Sequence, residues 1–234
     1  MTSGRTRPGH GDHWLAALEQ DDPRLADVVA IPTDAPPGVH AHRQPLTEAL
    51  DMVQVTARRA KGDDPRSVAR LVTAYPEPRA TALVHVRPRE LHLWETRVEA
   101  WLVVEHEGAG ALTLFLTDLV ENAERYQRAR GEIALEVGGL AYTMDRAPLA
   151  AGPSRLKPAG AMDARFLPDD YSFEADVRAV HRAGAGEVLD LAFQNGLAFP
   201  VASRHAAHLA PGDRATGFAW LTARWPTGPE GQRS

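Results

Sequence analysis

The sequence predicts an α+β chain that is mainly β. Two tandem small β-barrel-like units, with an element order compatible with OB-like barrels, follow a short helical segment. Three observations predict this. Apolar residues alternate with period two from about residue 80 onward, the mark of half-buried strands. A strand–Gly-Ala-Gly–strand pattern occurs twice. Residues 46–75 instead carry apolar side chains at three- and four-residue spacing.

The boundaries follow from composition. Residues 1–45 are read as a flexible arm, polar at first, with a short helix at Trp14–Glu19 and four prolines between 31 and 45. The helical segment is placed at 46–79. Leu46, Leu50, Val53, Ala57 and Ala60 would make one helix face, and Val68, Leu71, Val72 and Tyr75 a second. Asp64 and Pro65 suit the start of the second helix, and Tyr75-Pro76-Glu77-Pro78 its end. The first β unit is placed at 80–149. Ala80–Val86 is rich in β-branched residues. In Thr96–Glu107, Val98, Ala100, Leu102 and Val104 share one face and Trp101 takes the other. Leu112, Leu114 and Leu116 alternate after a Gly-Ala-Gly turn. Glu121–Arg128 reads as a short polar helix, and the segment after Gly131 as a strand bent at Gly138-Gly139.

A Pro-, Ala- and Gly-rich linker is placed at 150–165 and the second β unit at 166–226. That unit holds Phe173–His181, Val188–Phe193, a short Phe199–Val201, a turn or two of helix at Ser203–Leu209, and a final strand from Asp213 to Trp225. A disordered tail, 227–234, ends the chain. The repeat aligns Gly108–Gly110 with Gly184–Gly186. It aligns Leu112, Leu114, Leu116 and Asp118 with Leu189, Leu191, Phe193 and Asn195. GLAYTM at 139–144 matches GFAWLT at 217–222. Two units packed about a pseudo-twofold axis would leave a groove, and Trp101, Trp220, Arg97 and Arg224 are the residues expected near it.

Composition excludes several chemistries. With no cysteine there is no disulfide framework, thiolate metal site or cysteine nucleophile. The formal net charge is -5, and residues 91–149 hold five basic and ten acidic side chains, which opposes nucleic-acid binding. The first residues lack the apolar stretch of a secretory signal. The strongest apolar run, Trp101–Val104, is far short of the ~20 residues of a membrane span. A cytoplasmic protein is therefore expected.

There is no GxSxG, P-loop, dinucleotide fingerprint or HExxH. The pairs His10/His13, His40/His42 and His205/His208 could supply imidazoles, but no third ligand is nominated, so no metal site and no cofactor is assigned. Asp118, Glu121, Asp169, Asp170 and Asp176 lie near strand ends, where carboxylates commonly cap turns, and Asp118 is expected to cap the helix at Glu121. The expected function is a non-catalytic binding or adaptor protein engaging a protein partner. A single-stranded nucleic-acid binder of OB type and an enzyme with an unrecognised, metal-assisted hydrolytic site are the alternatives.

Overall fold

Alternation of buried and exposed side chains builds the strands beyond residue 80. In β4 (Ala82–Leu93), Val84 and Val86 point inward while Leu83, His85 and Arg87 face solvent. Ala100, Leu102 and Val104 do the same in β5 (Ala100–His106), as do Leu112 and Leu114 in β6 (Gly110–Leu116). Helix α2 (Leu119–Arg128) leads to the long strand β7 (Ile133–Arg146). The short β8 (Arg155–Pro158) precedes β9 (Asp170–Ala183), β10 (Gly186–Ala192), β11 (Ala198–Ser203) and β12 (Arg214–Arg224). This computed structural model describes residues 11–29, 37–58, 69–148, 153–161, 163, 166–193 and 196–227. Among them no helix is long and apolar enough to cross a membrane.

The nine strands β4–β12 form one sheet that closes on itself twice. In the first circuit, β4 pairs with β5, β5 with β6, β6 with β12, β12 with β7, and β7 with β4. In the second, β9 pairs with β10, β10 with β11, β11 with β7, β7 with β12, and β12 with β9. Each circuit is barrel-like and has five strands, and the two share β7 and β12. Each also closes through a two-residue parallel contact: Thr222 and Ala223 with Phe115 and Leu116, and Val201 and Ala202 with Gly139 and Leu140. The sharing needs close backbone approach. A Cβ on Gly217 would stand 2.1 Å from the Thr143 carbonyl oxygen, which no side chain allows.

The aliphatic alternation fills one cluster inside these circuits. Leu102, Leu114, Leu135, Leu189, Leu191 and Leu221 are all at most 1% exposed. Each such burial is worth about 1.5–3 kcal/mol.

The described parts of residues 46–79 form strands, not the expected helices. β1 (Gly38–Pro45), β2 (Leu50–Arg58) and β3 (Arg70–Pro78) form a separate antiparallel sheet with β2 in the middle. The misreading has a physical cause. Met52, Val53, Gln54, Val55 and Thr56 are all buried, so β2 is covered on both faces and its polarity does not alternate. The apolar residues then fall at helical spacing by accident, while Val53, Val55 and Thr56 favour an extended chain. Asp64, Pro65 and Val68, assigned to the second helix, lie outside the described residues.

Two expected linkers also hold strands, β1 within 31–45 and β8 within 150–165. The early helix is found as α1 (Gly11–Ala17). Ser203–Leu209 is bends and turns, so His205 and His208 do not share a helix face.

The sheet places the repeat differently from the alignment. The circuits begin with β4–β5–β6 and with β9–β10–β11, so the Gly108–Gly110 and Gly184–Gly186 turns join different steps of the two series. The match of GLAYTM to GFAWLT survives. These segments lie in the two shared antiparallel strands, and the matched residues Ala141 and Ala219 pair with each other.

Candidate functional site

The α1 helix and the three-stranded sheet cover the outer face of the double circuit. Their seam is a second apolar cluster, containing Trp14, Leu18, Val53 and Tyr75 from the cap and Phe115, Leu140, Val188, Ala202 and Trp220 from the sheet beneath. The groove expected around Trp220 is therefore filled by the chain itself.

Trp220 is completely buried. The His13 ring stacks on its indole, 3.9 Å between centroids and 11° from parallel. Phe115 lies 5.0 Å away, and Tyr75 meets Phe115 edge-on at 5.0 Å. Trp220 Nε1 donates to Asp169 Oδ2 at 2.7 Å. Asp169 is itself fully buried, and its Oδ1 has no hydrogen-bond partner among the described residues. Burial, and then the neighbouring Asp170 charge, push the Asp169 carboxyl up to about 7. The indole donor of Trp220 works against that rise. Asp170 accepts from Tyr142 Oη at 2.5 Å and from the Leu167 amide at 2.7 Å.

A second polar cluster staples the cap's far side. Glu77, 1% exposed, receives Arg43 Nε at 2.9 Å and the Thr117 hydroxyl, and Arg224 lies 3.5 Å from its other oxygen. Arg224 Nε also donates to Glu136 at 2.7 Å. Arg43 donates to the Thr117 carbonyl at 2.6 Å and pairs with Glu121. The Tyr75 hydroxyl donates to the same carbonyl at 3.0 Å, and burial pushes that hydroxyl well above its ordinary value.

The four residues expected near the groove are thus dispersed. Trp220 lies at the centre of the seam. Trp101 is half-buried at its edge, 5.1 Å from Trp94. Arg224 belongs to the ion network around Glu77. Arg97 is exposed in the β4–β5 loop with φ of 58°, a left-handed conformation that is costly for a side chain. Trp220 and Trp225 are both buried, in the two different clusters.

Asp118 precedes α2 but makes no side-chain cap to it. It accepts instead from Tyr126 Oη at 2.5 Å, Asn122 at 2.7 Å and the Trp225 amide at 2.9 Å, tying the helix to the end of β12. Burial pushes its carboxyl up to about 6 against those donors.

The histidine pairs separate likewise. His42 Nε2 lies 3.1 Å from Thr56 Oγ1, and His208 Nε2 lies 3.4 Å from Asp145. Among the described residues no three His, Asp or Glu side chains are grouped to hold a metal ion. Sequence reasoning missed Arg43 and Glu77 as site residues, and the roles of His13 and Asp169. Each sits in an unremarkable stretch and acquires its partner from a distant strand.

A cavity of about 480 Å³ opens where α1, the β1–β2 turn and the β9–β10 turn meet. Its floor is apolar and its rim carries Glu48 and Arg204.

No protein-family model matches the chain, and none of the curated proteins does. Among solved structures, the cytoplasmic molybdate-binding protein ModG, in a form with molybdate bound, is similar over 62% of this chain and 96% of its own, at 18% identity and a TM-score of 0.36. A likeness of that order identifies neither a family nor a ligand for this chain.

Proposed function

We propose that the chain is a cytoplasmic, non-catalytic binding protein that engages a protein partner by strand addition at β1, displayed on two fused OB-like barrels. The OB-like reading is supported by the strand order of both circuits: a three-strand meander, a fourth strand antiparallel to the first, and a fifth parallel to the third.

The open edge of β1 carries the partner reading. The Leu46 amide donates to the Leu50 carbonyl. The β1–β2 register pairs residues whose numbers sum to the same value throughout, without a bulge. Hydrogen-bonded pairs alternate with non-bonded ones in an antiparallel ladder. So Gly38, His40, His42 and Gln44 bond to β2, and the backbone of Val39, Ala41 and Arg43 points outward. Pro45 falls at an outward position, where its missing N–H costs nothing. An eight-residue edge is a template for an added strand. Of the other outer strands, β3 packs against α1 and β7, and β8 is four residues long and ends in proline. β1 carries no acid, and the Arg43 side chain is already paired with Glu77 and Glu121, so an added segment with acidic side chains meets no like charge along this edge.

The test is affinity purification of the full chain from its native host, with and without nuclease. Wild type is compared with Ala41→Pro, which removes an outward N–H, and with Val39→Lys at an exposed edge position. A protein partner that survives nuclease and is lost from both folded variants supports the proposal. Equal recovery by the variants overturns edge pairing. Recovery that vanishes with nuclease makes nucleic acid the partner instead.

A further inference from the structure

The cavity beside the β9–β10 turn is independent of the β1 edge, and its unsatisfied groups define a ligand. Its volume of about 480 Å³ falls within the ~300–1,000 Å³ typical of small-molecule sites. Ala17, Ala49, Leu50, Leu140 and Ala202, all buried, give it an aliphatic floor.

The rim is polar and mostly spent. Asp22 takes Arg24 Nε at 2.9 Å and its terminal nitrogen at 2.6 Å, and the Leu46 carbonyl takes the remaining one at 2.9 Å. Arg204 pairs with Glu19 and donates to the Leu15 carbonyl at 3.1 Å. Two groups are left over. Arg204 Nε is buried without an acceptor. Glu48 is exposed at the mouth and has no ion-pair or hydrogen-bond partner among the described residues. A buried donor without an acceptor is destabilising, and an arriving acceptor would relieve it.

We propose that this cavity binds a short aliphatic peptide of dipeptide size by both ends, its ammonium on Glu48 and its carboxylate on Arg204. The cavity and its two ends select the ligand. Glu48 lies over Gly184, its carboxyl carbon 3.5 Å from where a Cβ would stand, and the Arg204 backbone passes 3.7 Å from the equivalent point on Gly186, so the two side chains come from different elements beside one turn. A dipeptide separates its ammonium from its carboxylate by a peptide unit and offers aliphatic side chains to the floor. Gly184, at φ +64°, keeps the space under Glu48 clear of any side chain.

Isothermal titration of the full chain with L-alanyl-L-leucine tests this, with the N-acetylated peptide and the peptide methyl ester as controls. One-to-one binding is expected. N-acetylation and Glu48→Gln should each weaken it by at least roughly tenfold, about 1.4 kcal/mol. Esterification and Arg204→Lys, which keeps the charge that faces Glu19, should weaken it comparably. Ala49→Met, filling the floor, should abolish it in a protein whose thermal melt is unchanged. Three results overturn the proposal: no binding by the wild type, equal binding of the acetylated peptide, or equal binding by Glu48→Gln. Glu48 is exposed, so its variant folds whatever becomes of Ala49→Met.

Discussion

The two apolar clusters of this molecule are built from different materials. Inside the strand circuits the core is mainly aliphatic, and its ring contacts are separate pairs, Phe193 with Phe199 and Tyr126 with Trp225. Between the cap and the circuits the rings of His13, Tyr75, Phe115 and Trp220 touch one another in one group, and Asp169, Asp170, Glu77 and Glu99 are buried at the same seam. The aliphatic part of the interior needs matching of volume alone. The seam needs volume, hydrogen bonds and charge matched together, because a buried carboxylate without its partners costs several kcal/mol. The interior should therefore respond to mutation through cavities, and the seam through charge and pH.

The sharpest break comes from Glu77→Gln. It leaves Arg43 and Arg224 half-buried around a neutral side chain, and loss of one partner from such a network costs about 3–5 kcal/mol. Denaturant unfolding should show a midpoint lowered accordingly. A cap that unfolds at lower denaturant than the circuits would separate the two regions directly, whereas a shift under 1 kcal/mol would show that the network is not what holds the cap.

Asp169→Asn should act in the opposite direction. A carboxyl raised from 3.8 to about 7 holds its proton longer in the folded state than in the unfolded one. Wild-type stability is therefore fully present below pH 4 and falls as the pH rises to about 7. Asparagine keeps an acceptor for Trp220 Nε1 and has no charge to bury. The variant should be about 2–4 kcal/mol more stable than wild type at pH 8 and equal to it near pH 4. The slope that remains, up to about pH 6, belongs to Asp118. Thermal melts at several pH values read this, and an Asn variant with wild-type slope would remove the charge from the seam's energetics.

Arg97→Gly is the smallest. Releasing a side chain from φ 58° gains about 1 kcal/mol, partly offset by the freer unfolded chain. A melting temperature unchanged or slightly raised is expected. A marked fall would mean that the Arg97 side chain supports the seam through the adjoining Trp94.

The circuits were legible in residues such as Leu112, Leu114 and Leu116, since a strand with one wet face must alternate. The match of GLAYTM with GFAWLT marked β7 and β12 as related strands, though not as shared ones. The cap was not. β2 is wrapped on both faces, so Met52 to Thr56 lost the alternation that identifies a strand. The site residues fared similarly. Trp101 and Trp220 were singled out, but Asp169 lies 51 positions from the tryptophan it accepts from, and Glu77 lies 34 from Arg43 and 40 from Thr117. No local spacing encodes such pairs.

By itself the sequence determined the strands that face water on one side, the polar helix after Asp118, and the aromatic residues that would need covering. Those are set by local periodicity and by the cost of leaving rings exposed. Tertiary structure alone decided that β7 and β12 serve both circuits, that α1 and the three-stranded sheet cover their outer face, and that Asp169 and Glu77 become buried carboxyl groups. Each of these depends on which distant backbone and side-chain groups meet once water is excluded, and that is a property of the assembled chain rather than of any segment.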